Sequence, residues 1–134
     1  MNRRILVSVL LIVAIVGIVV LTCQTPEQTK ALSDGLRDWL NGHGLTVLSK
    51  DLRKNIHVIE YFIFGIVLGL FGHTFEWKLW ATLLAGYTAG LLDEGIKVFL
   101  PTREFDSGDL VRDVIGISIA VLLIFGLFRE KNRL

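Results

Sequence analysis

Apolar residues gather into four long runs separated by short charged clusters, and that pattern organises the chain. A membrane span needs about 20 mainly apolar residues to cross the hydrocarbon core. Residues 5–21 hold no ionisable group. Residues 56–72 are interrupted by His57 and Glu60, and residues 79–99 by Asp93, Glu94 and Lys97. Residues 110–128 are interrupted by Arg112 and Asp113. The pattern predicts an all-α fold: a polytopic membrane bundle of four transmembrane helices in one domain over residues 1–134.

A shorter segment after the first run has a different period. Thr25-Pro26-Glu27-Gln28 is a helix start, with threonine as N-cap, proline in the first turn and glutamine completing a capping box. Leu32, Leu36, Trp39 and Leu40 then fall on one helical face, and Asn41-Gly42 supplies a stop. Residues 26–41 are thus expected to form an amphipathic helix, either lying in the outer membrane interface or packing on the bundle as a lid.

Lysine and arginine near the span ends set the orientation. Arg3 and Arg4 flank one terminus; Arg129, Lys131 and Arg133 flank the other. Both termini are expected in the cytoplasm, which requires an even number of spans. The loop over residues 22–55 and the link over residues 100–109 then lie outside. The link over residues 73–78 lies inside, with Trp77 and Trp80 as interfacial anchors. Lys30, Arg37, Lys50, Arg53 and Lys54 in the first outer loop pull against this orientation, accompanied by Glu27, Asp34, Asp38 and Asp51. Asn2-Arg3-Arg4, the apolar run and Cys23 also resemble a lipoprotein signal. Thr22 is a poor residue before such a cysteine and the run is long for a signal core, so an uncleaved span is expected.

Composition agrees with a membrane solvent. The 134 residues are 52% hydrophobic, with a mean hydropathy of +0.59. A soluble domain this short cannot bury that much apolar surface. The net charge of +1 and the lack of a basic stripe interleaved with aromatics give no case for nucleic acid. One cysteine, Cys23, excludes an intramolecular disulfide and a paired-cysteine metal or redox site.

The candidate chemistry is ionisable and sits inside the apolar runs, where charges are retained mainly against a protein interior or a wet cavity. Arg53 and Lys54 precede the second run; His57, Glu60 and Tyr61 occupy its first turns. Asp93, Glu94 and Lys97 lie near the end of the third, with Asp93 and Lys97 four apart and able to pair. Asp109 and Asp113 open one face of the fourth, and Arg103 stands in the link before it. If the spans alternate in direction, all of these reach one depth on the outer side.

Three readings of the cluster stand. One is structural, with ion pairs and caps: Asp106 or Ser107 capping the fourth helix, Asp109 at its positive N-terminus and Asp93 neutralising Lys97. The second is a pocket for an anionic or amphipathic ligand, with Arg53, Lys54 and Arg103 holding phosphate or carboxylate oxygens. The third is catalysis, with His57, Glu60 or Glu94 as general base. A metal variant would draw on Asp93, Glu94, Asp109, Asp113 and His57, an oxygen-rich set suited to magnesium or calcium; the leading reading uses no metal and names no cofactor. His43 and His73 are expected in solvated loops, and Tyr87 in packing. Gly65 and Gly69, Gly86 and Gly90, and Gly116 and Ala120 are spaced for close helix contact.

The same residues carry a resemblance. Arg53-Lys54-Asn55-Ile56-His57-Val58-Ile59-Glu60-Tyr61 followed by Gly65 resembles the first signature of the VanZ-like family. Asp93-Glu94, Pro101, Arg103, Asp109, Asp113 and Gly116 resemble the second. The segment from Gln24 to Thr29 with Ala31-Leu32-Ser33 is similar to the family's outer loop. The chain departs from the pattern at Ile96 and Lys97, where the family usually has histidine and glutamine. The family is named for a protein that confers resistance to teicoplanin, a lipid-tailed glycopeptide antibiotic. The resemblance implies a bacterial cytoplasmic-membrane protein acting at the outer leaflet. Its partner would be a membrane lipid, a lipid-linked envelope precursor or a lipoglycopeptide. The site would comprise Arg53, Lys54, His57, Glu60, Tyr61, Asp93, Glu94, Arg103, Asp109 and Asp113. An alternative is a membrane hydrolase or transferase acting on a lipid-linked phosphate or ester. A transporter is weaker, because the other half of each span is apolar.

Overall fold

The computed structural model describes residues 2–46 and 52–131; the side chains of Arg53, Lys54, Glu130 and Lys131 lie outside the described residues. Among the described residues five helices follow in order: α1 (Arg3–Thr22), α2 (Pro26–Gly42), α3 (Leu52–Thr74), α4 (Leu79–Lys97) and α5 (Ser107–Lys131). Among the described residues three segments, Arg3–Thr22, Asn55–Thr74 and Ser107–Arg129, are long and apolar enough to cross a membrane. The predicted third span corresponds to α4, which ends at Lys97 rather than at residue 99 and carries its three charged residues in its last turns.

The core lies where α3 crosses α5. Tyr61, Phe64 and Leu68 of α3 pack against Ile117 and Val121 of α5, all buried, with Leu11, Ala14 and Ile18 of α1 and Leu83 and Tyr87 of α4 around them. The approach is close because both helices offer small residues. A β-carbon added at Gly65 would stand 2.8 Å from Ala120 Cβ, and one at Gly116 would stand 2.6 Å from the Val58 carbonyl oxygen. Tyr87, as expected, serves packing, its hydroxyl 2.7 Å from Ser118 Oγ on α5.

The exterior is apolar. Ile12, Val13, Val16 and Val20 of α1, Ile59 and Ile63 of α3, and Leu122 and Leu127 of α5 are all exposed. In water that surface would drive aggregation; in lipid it is the solvent-facing side.

α2 forms as its first turn predicts. The Thr25 side chain accepts from the Gln28 amide and the Gln28 side chain accepts from the Thr25 amide. Its end differs from expectation: Gly42 remains helical, and Gly44 with φ +76° makes the stop. The Leu45 amide reaches back to Leu40 and the Gly44 amide to Asn41, a Schellman closure that needs the left-handed residue at position 44. Leu32, Leu36 and Trp39 are exposed, Trp39 by 56%, while Ser33 and Leu40 are buried. The apolar edge is therefore not spent on the bundle.

Candidate functional site

The site is built where the start of α3, the end of α4 and the start of α5 converge, roofed by the end of α1 and by α2. Parallel packing of α3 on α5 sets His57 between two aspartates one turn apart. His57 Nε2 lies 3.3 Å from Asp109 Oδ2, and its Nδ1 lies 3.2 Å from Asp113 Oδ1. Asp113 is fully buried and Asp109 is partly exposed. Two carboxylates on opposite ring nitrogens fix the imidazole plane.

Asp113 Oδ2 and the Tyr61 hydroxyl are both buried without a hydrogen-bond partner among the described residues. Such orphan atoms are rare in folded chains and mark sites that ligands or water complete.

Glu94 is fully enclosed and both of its oxygens are engaged: Oε1 accepts from Lys97 Nζ and Oε2 from the Asp106 amide at 3.1 Å. This corrects the expected Asp93–Lys97 pair. Asp93 instead accepts from the Thr22 hydroxyl at the end of α1. Both acids are buried, but they face different neighbours, since consecutive helical residues point about 100° apart. Asp106 provides the expected cap of α5, its carboxylate accepting the Gly108 amide at 2.7 Å.

Arg103 is already partly committed. Its Nε and a terminal nitrogen donate to the carbonyls of Thr22 and Leu21 at 3.4 and 3.3 Å. These carbonyls lie at the negative end of α1, where a guanidinium is favourable, and that of Leu21 also accepts from the Gln24 amide. Arg112 pairs with Asp109. Thr22, Lys97 and Arg112 were not among the proposed site residues. The signal for Thr22 was a hydroxyl in the last turn of a wholly apolar span.

A cavity of about 600 Å³ opens beside these groups. Its polar end is lined by Glu60, Asp93, Lys97 and Arg103, its wall by Ile56, Ile59 and Ile63, and its roof by Thr29, Leu32 and Ser33 of α2. No side-chain hydrogen bond or ion pair among the described residues ends on Glu60. The isoleucine wall runs out onto the exposed face of α3, where Ile63 is 56% exposed. The opening therefore has a charged end and an apolar flank. Of the sequence-predicted site residues, His57, Glu60, Asp93, Arg103 and Asp109 line this cavity. Glu94, Asp113 and Tyr61 lie buried in the packed layer beside it. Arg53 and Lys54 begin α3, but their side chains lie outside the described residues.

His57, Glu94 and Asp113 each bring one ligand atom within 4.8 Å of the others. A mixed nitrogen and oxygen set of that kind fits a divalent cation by type. Here the buried Lys97 ammonium already meets Glu94, supplying positive charge where a metal would. His73 departs from expectation: it lies within α3, remote from this site, stacked on Phe128 with centroids 4.2 Å apart. His43, at the end of α2, is exposed, with Nδ1 2.8 Å from the Trp39 carbonyl.

No curated protein and no solved structure matches the chain. The family model described as VanZ/LLP1 matches residues 7–129, a stretch that includes α2 and every residue of the converging cluster. With three helices long and apolar enough to cross a membrane, this match identifies a VanZ-like membrane protein: the chain belongs to the VanZ/LLP1 family.

Proposed function

We propose that this protein holds an amphipathic envelope ligand or a lipoglycopeptide of the teicoplanin type at the outer leaflet of a bacterial cytoplasmic membrane. In this reading α1, α3, α4 and α5 are four spans, both termini are cytoplasmic, and α2 lies in the outer interface. The exposed edge of Leu32, Leu36 and Trp39 supports that position for α2, because a helix in the interface turns such an edge toward acyl chains. The converging helix ends support alternating spans.

The observation that carries the proposal is the cavity with a charged end at Glu60, Asp93 and Arg103 and an isoleucine flank open to the side. A ligand with a polar head and a lipid tail fits both parts at once, the tail lying along Ile59 and Ile63 in the hydrocarbon layer. Arg53, Lys54, Tyr61, Asp109 and Asp113 complete the proposed ligand-binding set. Expression in a susceptible bacterium tests it. Teicoplanin tolerance that falls with Arg103→Ala or Glu60→Ala, while folded protein stays at the wild-type level, supports the proposal. Tolerance lost only together with folded protein assigns the cluster to structure instead.

The arrangement of His57 favours a second reading, a hydrolase or transferase for a lipid-linked phosphate or ester. An imidazole oriented by Asp113 at the cavity wall serves as a general base once a bound ligand displaces Asp109 from its Nε2, with Glu60 or Glu94 as the companion acid. Turnover of a radiolabelled envelope lipid by purified protein, abolished by His57→Ala, supports catalysis. Stoichiometric binding without product overturns it.

A further inference from the structure

The opposite end of the bundle, where the start of α1 meets the ends of α3 and α5, carries a second pair of openings that the reading above does not use. The Arg3 guanidinium lies over the Phe128 ring at 5.6 Å, and that of Arg4 lies over Phe75 at 5.6 Å. Ring faces hold the two cations in place but leave their N–H edges free to donate. No carboxylate of the described residues is paired with either. A cavity of about 620 Å³ opens among Arg3, Arg4, His73 and Trp77, with Glu76 as the single acid in its wall. Beside it an apolar groove of about 530 Å³ runs along Leu122, Phe125 and Phe128 past Gly126. His73 lines both openings and joins them.

A basic cavity continuous with an apolar groove, with exposed Trp77 at the rim, is the shape of a lipid head and chain together. Guanidinium edges match phosphate oxygens and bind them in pairs. Two arginines against one glutamate leave the cavity positive. We propose that this end binds one anionic phospholipid, its phosphodiester on Arg3 and Arg4 and one acyl chain in the groove along Leu122 and Phe125 past Gly126. The site is independent of the ligand proposed at the other end.

Native mass spectrometry of the full chain purified in detergent tests the proposal, with phosphatidylglycerol and phosphatidylcholine as probes. Wild type retains phosphatidylglycerol in preference. In R3Q/R4Q that preference falls roughly 25-fold, the product of about fivefold for each arginine near a membrane surface. Gly126→Leu weakens retention without changing charge, because Gly126 lines the groove and a β-carbon there meets nothing within 4 Å, so the added side chain takes up groove space. If R3Q/R4Q fails to fold by circular dichroism, Gly126→Leu decides alone. Equal retention of the two lipids, or retention indifferent to both variants, overturns the proposal. Displacement by millimolar inorganic phosphate with no effect of Gly126→Leu also overturns it, in favour of a free-anion site.

Discussion

His57 Nδ1 lies 3.2 Å from Asp113 Oδ1 across the seam between α3 and α5. The bond spans 56 residues of sequence, so it exists only in the folded bundle. Asp113 is fully buried and its other oxygen has no partner among the described residues. Removing the ring therefore strips the carboxylate of the hydrogen bond given it here. His57→Ala is expected to destabilise the protein by about 1–3 kcal/mol, the cost of leaving a buried polar group unsatisfied. Unfolding midpoints in mixed detergent measure it, and Asp109→Ala, at the more exposed partner, is expected to cost less.

Glu94 and Lys97 form a buried pair, and breaking such a pair costs more than replacing it. Glu94→Gln leaves the Lys97 ammonium uncompensated and is expected to cost about 3–5 kcal/mol. The double variant Glu94→Gln/Lys97→Met removes the stranded charge and recovers much of that loss. An equal midpoint for the single and double variants would show that Lys97 does not depend on Glu94.

Gly116 and Gly17 are both helical glycines with opposite surroundings. A β-carbon at Gly116 would press on the α3 backbone at 2.6 Å, whereas one at Gly17 meets nothing within 4 Å. Gly116→Val is expected to destabilise by about 1–3 kcal/mol or more through overpacking. Gly17→Ala is expected to stabilise α1 by about 0.5–1 kcal/mol. The same unfolding assay separates them.

Glu76, in the turn after α3, has φ 59°, a left-handed conformation that side chains disfavour. The Trp77 amide reaches Gly72 at 2.8 Å and the Glu76 amide reaches His73 at 3.3 Å, so the turn is a Schellman closure with a non-glycine at its strained position. Glu76→Gly relieves the strain and is expected to stabilise by about 1 kcal/mol. Glu76→Ala, which keeps the β-carbon, leaves the midpoint near wild type.

Glu27 stands in the first turn of α2, where its own backbone amide and then the Thr25 hydroxyl hold its carboxyl below the usual glutamate value. A depressed folded-state pKa gives stability that is present above the unfolded value and lost as pH falls through the folded one. α2 is therefore expected to fray at its start in acid, and NMR shifts of the amides at residues 26–29 should report it. Thr25→Ala removes half of the capping box, costs about 1 kcal/mol and frays the same turn at neutral pH.

Much of the fold is legible along the chain because its solvent is lipid. Backbone groups in hydrocarbon must be satisfied within one helix, so an apolar run of span length has few alternatives. Residues 5–21, 56–72 and 110–128 therefore read directly as α1, α3 and α5. The start of α2 is equally local, because a capping box closes over four residues. Its end is less so: Asn41-Gly42 and Gly44 both offer a stop, and the turn that closes back on Leu40 selects Gly44.

The chain order of ionisable residues also predicted their convergence at one end of the bundle, since charge inside an apolar run needs company. It did not determine which partners meet. Spacing of four made Lys97 available to Asp93 and spacing of three made it available to Glu94. The rotation of α4, which turns Asp93 toward Thr22 and Glu94 toward Asp106, selected Glu94. Arg103 was legible as a charge in a loop, but its place at the end of α1 depends on how the first span leans on the rest. Sequence alone thus determined the helices and the end where the charges gather, because lipid burial and helix periodicity act over neighbouring residues. Only the tertiary structure decided the pairs, the cavity and its isoleucine flank, because these depend on helix rotation and contact across more than 50 residues of chain.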